Sequence, residues 1–298
     1  MITRVLVPLD GSQLAEFVIP YVEAIARASG AGIVLLAAVG EPRRWGHSAP
    51  VDLKGETHCA RTYLETVAGR LHEDLRSKAE MEVTSKPAAK AIIDFAAAIH
   101  ADLIAMTTHW RSGVARWVLG SVAAKVLHAA ETPLLLVRPP SDSSVTAPAR
   151  IEKILVALDG SEVSLAALPF AEGLAQALGP SLFLFHAVVP PVLAYPGAEM
   201  IALDARVLKS LEEGGRNFVT AAAEAATARG IKAEAAVSIG NAVDAIVAAA
   251  QDQAAGLIVM STHGRSGAGR MVLGSVADAV VRRSSLPVVL VRPAVDRA

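Results

Sequence analysis

The chain has 298 residues, of which 53% are hydrophobic and 19% charged, and its net charge is -1. This balance provides apolar material for large cores, and it gives no electrostatic reason to expect nucleic acid or an anionic membrane as a partner. No apolar run reaches the roughly 18 residues of a membrane span, and no signal peptide pattern follows Met1. A single cysteine, Cys59, excludes an internal disulfide framework. These features predict a cytoplasmic protein.

The first half of the chain alternates short apolar runs with helical patterns. Arg4 to Leu9 is typical of a buried strand, and Asp10, Gly11 and Ser12 turn it into a helix with Ser12 as the expected N-cap. Pro20 is expected to kink that helix or to end its first turns. Further strands are predicted at 33–39, 81–84, 103–106 and 134–137, and further helices at 57–78 and 88–100.

The second half repeats this plan. Strands are predicted at 154–158, 182–188, 233–239, 257–260 and 288–291, and helices at 164–178, 203–229, 242–253 and 276–283. Between the halves, residues 139–150 are rich in proline, serine and small residues and are predicted to form a linker. We therefore expect two domains, 1–138 and 151–293. Alternating strands and helices predict a parallel sheet covered on both faces, with right-handed crossovers.

The most informative stretch runs from Leu257 to Arg292. An apolar strand is followed by a glycine-rich loop and then by a helix that begins near Gly274 and Ser275. This order directs backbone N–H groups and the positive end of a helix dipole at one point, where a phosphate binds well. The stretch has a counterpart at residues 103–138, with more than half of the aligned positions identical, so the chain contains two copies of one unit.

Several motifs shared by the halves resemble the universal stress protein family. They are VPLDGS and VALDGS near the first strands, ADLIAMTTH and AGLIVMSTH near the fourth, RSG, VLGSVA, and the closing PLLLVRP and PVVLVRP. The resemblance covers nearly the whole chain outside the linker and implies a tandem protein. Its implied fold is α/β, with two doubly wound five-stranded parallel sheets of strand order 3-2-1-4-5, like the adenine nucleotide alpha hydrolases.

The resemblance also implies an adenine nucleotide site. Nucleotide-binding members carry GxxG, nine residues, and then Gly followed by Ser or Thr. The second half matches except that Ser261 replaces the first glycine. In the first half Thr107 and Trp110 replace both glycines of the GxxG, and a tryptophan blocks the close backbone approach that glycine allows. We expect the second half to bind nucleotide and the first half to bind weakly or not at all.

By the same resemblance, Asp159 would accept hydrogen bonds from adenine or ribose, and the loop that begins at Gly264 would wrap the phosphates. The full set of candidates in the second half is Ala157, Asp159, Ala187, Val188, Met260, Ser261, Gly264, Arg265, Ser266, Gly267, Gly274, Ser275 and Val276. The weaker candidates in the first half are Pro8, Asp10, Arg111, Gly113, Gly120 and Ser121. The implied ligand is ATP, or ADP or AMP, with Mg²⁺ carried in by the phosphates.

Each candidate also has a structural interpretation. Asp159 is a good turn residue, the glycines are good turn formers, and Ser275 is a good N-cap. Structural roles are favoured for His263 and His109. For Arg270 and Arg116, contact with phosphate and a solvated charge on a loop are equally favoured. His47, His58 and Cys59 lack the spacing of a zinc site, so no protein metal site is expected.

Three classes of function remain open at this stage. They are a nucleotide-binding regulator with at most weak ATP hydrolysis, a nucleotide-free interaction scaffold, and an ATP-dependent enzyme of a related fold. The third is disfavoured because the chain has no Walker loop and no clear general base near the expected phosphate except His263.

The last strand of each half, 134–137 and 288–291, is apolar and expected at a sheet edge, which favours pairing. Family members pair these strands across a dimer. The resemblance therefore implies an internal pseudo-dimer of the two halves, with further association into a homodimer as an open alternative.

Overall fold

The structure is a computed structural model that describes residues 2–39, 53–76, 79–108, 119–139, 150–190, 205–263 and 273–293. The chain divides into two compact units, the first unit Met1–Ala149 and the second unit Arg150–Ala298. Most of the predicted linker lies outside the described residues, and the domain limits 1–138 and 151–293 stay a prediction.

The first unit alternates strands and helices along the chain. Its strands are β1 (Arg4–Leu9), β2 (Gly32–Ala38), β3 (Ala79–Thr84), β4 (Leu103–Thr107) and β5 (Leu134–Val137). Its helices are a 3₁₀ turn (Ala15–Val18), α1 (Ile19–Ser29), α2 (Leu53–Arg70), α3 (Glu73–Arg76), α4 (Ala88–Ala98) and α5 (Ser121–Ala129).

The second unit follows the same order. Its strands are β6 (Lys153–Leu158), β7 (Ser181–Val188), β8 (Ala233–Ile239), β9 (Leu257–Ser261) and β10 (Val288–Val291). Its helices are α6 (Glu162–Leu165), α7 (Ala167–Leu178), α8 (Ala205–Ala228), α9 (Ala242–Asp252) and α10 (Ser275–Arg283).

All the strand pairs described within each unit are parallel. In the first unit the order is β3-β2-β1-β4-β5, and in the second it is β8-β7-β6-β9-β10. Both are the predicted order 3-2-1-4-5, so the fold class is confirmed. The order reverses direction at the first strand of each unit, which opens a crevice between the carboxyl ends of the first and fourth strands.

The central strands are apolar because both of their faces are covered. Val5, Leu6 and Val7 of β1 and Leu155 and Val156 of β6 are each 0% exposed. Helix α4 packs against α5 in the first unit, and α9 packs against α10 in the second. Runs of β-branched and leucine side chains therefore form strands buried in the middle layer of each unit.

The helices that follow β1 and β6 begin in two steps, because each contains a proline. A 3₁₀ turn precedes α1, in which Pro20 occupies the first turn. In the second unit α6 ends at Leu165 and α7 begins two residues later, since Pro169 has no N–H to donate to the carbonyl of Leu165. The single helix predicted over 164–178 is therefore wrong in detail.

The helix predicted over 57–78 is also two helices. Helix α2 begins earlier, at Leu53, and ends at Arg70. The backbone N–H of His72 donates a hydrogen bond to the Glu23 carboxylate at 2.9 Å, and so it does not continue the helical hydrogen bonding. A short helix, α3, then completes the connection to β3. None of the helices in the described ranges is both long and apolar enough to cross a membrane.

Residues Asp102 and Gly256 occupy equivalent positions before β4 and β9, and they secure the neighbouring first strand differently. The Asp102 carboxylate accepts hydrogen bonds from the Thr3 N–H and hydroxyl, both at 2.7 Å. Gly256 instead packs its Cα against the backbone at Arg150 and Ile151. A Cβ at position 256 would overlap the Arg150 carbonyl oxygen, so this close approach requires glycine.

Substituting Gly256→Ala is expected to destabilise the second unit by about 1–3 kcal/mol, because the added Cβ meets backbone that cannot rotate away. Gly173→Ala in α7 is the matched control. Nothing lies within 4 Å of a Cβ there, and alanine is favoured over glycine in a helix interior by about 0.5–1 kcal/mol. Thermal unfolding should show opposite shifts in midpoint, and equal or same-direction shifts would contradict the packing argument.

Candidate functional site

The crevice of the second unit lies where β6 and β9 end. Ala157 of β6 pairs in register with Met260 of β9, and both side chains are buried. The chain continues to Asp159 on one strand and to Thr262 on the other. The predicted residues Ala157, Asp159, Met260 and Ser261 are therefore brought to neighbouring strand ends.

Asp159 is held in a tight turn. Its Oδ1 accepts hydrogen bonds from the Ser161 N–H at 3.0 Å and from the Ser161 hydroxyl at 2.5 Å. Gly160 adopts φ of 83°, a conformation that favours glycine. The Ser161 hydroxyl oxygen in turn accepts from the Ser164 N–H at 3.2 Å and caps α6. The Asp-Gly-Ser motif thus fixes the carboxylate at the end of β6.

The segment after β9 is tied to both of its neighbours. The Thr262 N–H donates to the Val291 carbonyl of β10 at 2.9 Å, and the Thr262 carbonyl accepts from the Gly274 N–H at 2.8 Å. A Cβ at position 274 would lie 3.1 Å from that carbonyl oxygen. Gly274 therefore has a packing reason to be glycine, and it brings the start of α10 against the end of β9.

Gly274, not Ser275, is the N-cap of α10, and glycine has no side chain with which to cap the helix. The alternative interpretation of Ser275 as the N-cap is therefore wrong, because Ser275 is already the first helical residue, with an exposed side chain. A glycine N-cap supplies no side-chain acceptor for the first N–H groups of the helix. These groups and the helix dipole give this end a positive partial charge.

The remaining candidates of the second unit divide into two groups. Ala187 and Val188 end β7 beside the crevice strand β6, with Val188 buried, and Val276 follows Ser275 in α10. The proposed phosphate loop, Gly264, Arg265, Ser266 and Gly267, lies outside the described residues, as does Arg270.

The first unit repeats the framework. The Asp10 carboxylate accepts from the Ser12 N–H at 3.1 Å and from its hydroxyl at 2.6 Å, and Gly11 has φ of 81°. Gly120 is the N-cap of α5, and Ser121 is its first residue. Pro8 lies in β1, in register with Leu36. The other first-half candidates, Arg111 and Gly113, lie outside the described residues, as do His109, Trp110 and Arg116.

A polar cluster distinguishes the crevice of the first unit. Arg70 of α2 donates from Nη2 to the Glu16 carboxylate at 2.7 Å. The phenol of Tyr63, also on α2, lies close enough to Glu16 and Asp10 to respond to both carboxylates. Burial, followed by the Glu16 charge and hydrogen bond, raises the pKa of Tyr63 well above its ordinary value. Two carboxylates therefore stand near the end of β1.

The second unit is more apolar in the comparable segments. Leu165 replaces Glu16 in the repeat of the Asp-Gly-Ser segment. Helix α8 carries Phe218 beside the buried Val219, whereas α2 carries Tyr63 beside the buried Leu64. The two crevices thus share a backbone plan and differ in charge.

The third-strand ends also differ. Gly240 follows β8 with φ of 153°, a conformation that side chains disfavour. Lys86 takes its place in the first unit, and its ammonium lies 3.6 Å from the Asp94 carboxylate.

Histidines near the crevice have local partners. His263 Nδ1 lies 2.9 Å from the Thr262 hydroxyl, and the His263 N–H donates to the Ser261 hydroxyl at 3.3 Å. In the parts of the chain that the structure describes, no three His, Cys, Asp or Glu side chains form a group able to hold a metal ion.

Sequence reasoning missed a buried pair beside the crevice, His186 of β7 and Gly215 of α8. His186 is 4% exposed, and its Nδ1 lies 2.8 Å from the Leu158 carbonyl oxygen. Aligning the two halves places Ala37 opposite His186, and this difference in size was the available signal. Which helical residue faces it could not be read from the strands alone.

The chain is a tandem α/β protein of two doubly wound units. Each unit has an Asp-Gly-Ser turn after its first strand and a helix that starts at Gly-Ser after its fourth strand. The candidate site lies between these two features, where the strand order reverses. The sequence profile of the universal stress protein family matches residues 1–138 and again residues 150–292. The chain belongs to the universal stress protein family, as the motifs indicated.

Similar proteins carry the same family name. A universal stress protein of Methanocaldococcus jannaschii is 32% identical over 142 residues, which are 47% of this chain and 82% of that protein. One from Mycobacterium bovis is 28% identical over 193 residues, 64% of this chain and 62% of that protein. A crystal structure of a universal stress protein from Archaeoglobus fulgidus superimposes with a TM-score of 0.66 at 22% identity, covering 99% of this chain and 97% of that one. This last likeness supports the fold.

The raised pKa of Tyr63 predicts that the first unit is less stable at alkaline pH. The folded phenol keeps its proton to higher pH than the unfolded phenol, whose pKa is about 10, so the free energy of unfolding should fall as pH rises beyond that value. Tyr63→Phe, which keeps the ring and removes the titrating hydroxyl, should make this fall shallower. Denaturant unfolding between pH 8 and about 11 tests this, and identical pH slopes in both proteins would contradict it.

Proposed function

We propose that the second unit binds an adenine nucleotide at the carboxyl ends of β6 and β9, and that the protein is a nucleotide-responsive regulator in a stress response. Any ATP hydrolysis is weak. The proposed ligand is ATP, or ADP or AMP, with Mg²⁺ entering on the phosphates. The proposed location is the cytoplasm. Pairing of the two units, and of two chains, stays a prediction from the family resemblance.

The observation that carries this proposal is the start of α10. Its N-cap, Gly274, has no side chain with which to cap the helix, and the Gly274 N–H donates to the Thr262 carbonyl at the end of β9. An anion beside it would be attracted by the helix dipole and would accept hydrogen bonds from backbone N–H groups. Gly264 to Gly267, which connect these two elements in sequence, are proposed to complete the phosphate site.

The base and sugar are assigned to the neighbouring strand ends. Ala187 and Val188 of β7 offer an apolar wall, and Asp159 offers a carboxylate held in place by Ser161. A flat, largely apolar ring with donor groups at its edge fits apolar walls beside an oriented acceptor. Thus phosphate and base would lie at opposite ends of one crevice.

The first unit is proposed to bind nucleotide weakly or not at all. To the aspartate that both units share, its crevice adds the Glu16 carboxylate, which is paired with Arg70, and this extra carboxylate disfavours a nearby phosphate. Trp110 also stands in the sequence where the second unit has Gly264. The two differences act in the same direction, so we assign nucleotide binding mainly to the second unit.

A nucleotide-free interaction scaffold is the second candidate function, and one observation favours it. Gly274 packs against the Thr262 carbonyl and Asp159 caps its own turn, so each has a structural role without a ligand. If these structural roles alone explain the two residues, the motif is a requirement of the fold and does not indicate a ligand site.

Denaturing the freshly purified protein and separating the released small molecules by chromatography distinguishes the two functions. We expect about one adenine nucleotide per chain. Gly264→Trp should release none, because the indole blocks the backbone approach to the phosphates. Trp110→Gly is the matched control at the equivalent first-half position, and it should not reduce the amount released.

If none of the three proteins releases nucleotide, and added ATP does not raise the unfolding temperature of the wild type, the scaffold function is correct. If Gly264→Trp releases as much as the wild type, the site has been placed in the wrong unit.

A further inference from the structure

His186 lies at the carboxyl end of β7, next to the crevice, and is buried. Its Nδ1 lies 2.8 Å from the carbonyl oxygen of Leu158 on β6. A carbonyl oxygen has no hydrogen to donate, so Nδ1 must carry the proton and act as the donor. The side chain thus joins β6 and β7 at the last residue of β6.

The opposing helix makes room for this ring. A Cβ built on Gly215 of α8 would lie 2.5 Å from His186 Cδ2, 3.1 Å from its Nε2 and 3.4 Å from Val188 Cγ2. Such contacts are too short for any side chain at position 215 unless the histidine moves. The ring is therefore held between its hydrogen bond to Leu158 and the backbone of α8.

The first unit has a small residue at the position of His186. Ala37 is the register equivalent of His186, since it pairs with Leu9 as His186 pairs with Leu158. Ala37 is 0% exposed, as is Ala60 of α2. Only the second unit combines a large polar residue on the strand with a glycine on the helix.

We propose that His186 is a positioning residue for Asp159. The Leu158 carbonyl and the Asp159 nitrogen belong to one planar peptide group. A donor that holds this carbonyl in place therefore also holds the peptide plane between Leu158 and Asp159. The orientation of that plane sets the start of the turn in which the Asp159 carboxylate accepts hydrogen bonds from Ser161. The first unit, with Ala37, lacks this constraint on Asp10. The role in ligand binding rests on the nucleotide site proposed above.

An isosteric pair of variants separates this hydrogen bond from packing. In His186→Asn the amide nitrogen occupies the position of Nδ1, because it is the same number of bonds from Cα. His186→Leu has nearly the same shape as the asparagine and no donor. Both lose the outer part of the ring. Val219→Ala, a buried position one turn further along α8, is the control for general destabilisation.

Calorimetric titration with ATP should show binding weakened about tenfold in His186→Leu and within about twofold of wild type in His186→Asn, as expected for loss and retention of one buried hydrogen bond. Val219→Ala should melt at lower temperature with an unchanged dissociation constant. Equal weakening in the asparagine and leucine variants, or none in either, would overturn the positioning role.

A second readout needs no ligand. Hydrogen exchange of the Ser161 N–H, which bonds to Asp159, should be clearly faster in His186→Leu and near wild type in His186→Asn. If wild-type protein binds no ATP, the proposed function fails, and this exchange measurement alone decides the inference. Equal exchange rates in the wild type and both variants would then overturn it.

Discussion

All parallel strands of a sheet end at the same edge, and the structure of this protein depends on that constraint. In each unit the order 3-2-1-4-5 separates the connections that leave the first and fourth strands, so the ends of these strands share a crevice. Asp159 and Thr262 are brought together for this reason, although they are about a hundred residues apart in sequence. The turn at Ser161 and the contact between Gly274 and Thr262 then fix the two sides of the crevice.

Two nearly identical frameworks carry different chemistry at this edge. Both units have an aspartate bonded to a serine two residues later, and both begin the helix after the fourth strand with a glycine N-cap. In the first unit, Glu16, Tyr63 and Arg70 form a polar cluster beside the aspartate. In the second, Leu165 stands at the position of Glu16, and β7 carries His186. The two units share this framework, and these differences lie in side chains near the ends of β1, β6 and β7.

Most strand limits followed from the sequence pattern, because apolar runs bounded by turn residues repeat in the two halves, whereas the strand order followed from the resemblance to the universal stress protein family. The sequence pattern failed where tertiary contacts decide the local structure. The interruption after Arg70 depends on the Glu23 carboxylate from another helix, and the contact of Gly215 with His186 depends on which turn of α8 crosses β7. The N-cap position of Gly274 depends on its bond to Thr262. The assignment of nucleotide contacts stays a prediction, since the loop from Gly264 to Gly267 lies outside the described residues.

The central claim is that one chain holds one nucleotide site and that this site is in the second unit. Isothermal titration of nucleotide-free protein with ATP and Mg²⁺ tests it most directly, using Asp159→Asn and Asp10→Asn as a matched pair. Each asparagine keeps one oxygen to accept from its serine and replaces the other carboxylate oxygen, with its charge, by an NH2 donor. The account predicts one site per chain, weakened by Asp159→Asn and unaffected by Asp10→Asn. Two equivalent sites, or a single site that responds only to Asp10→Asn, would contradict it.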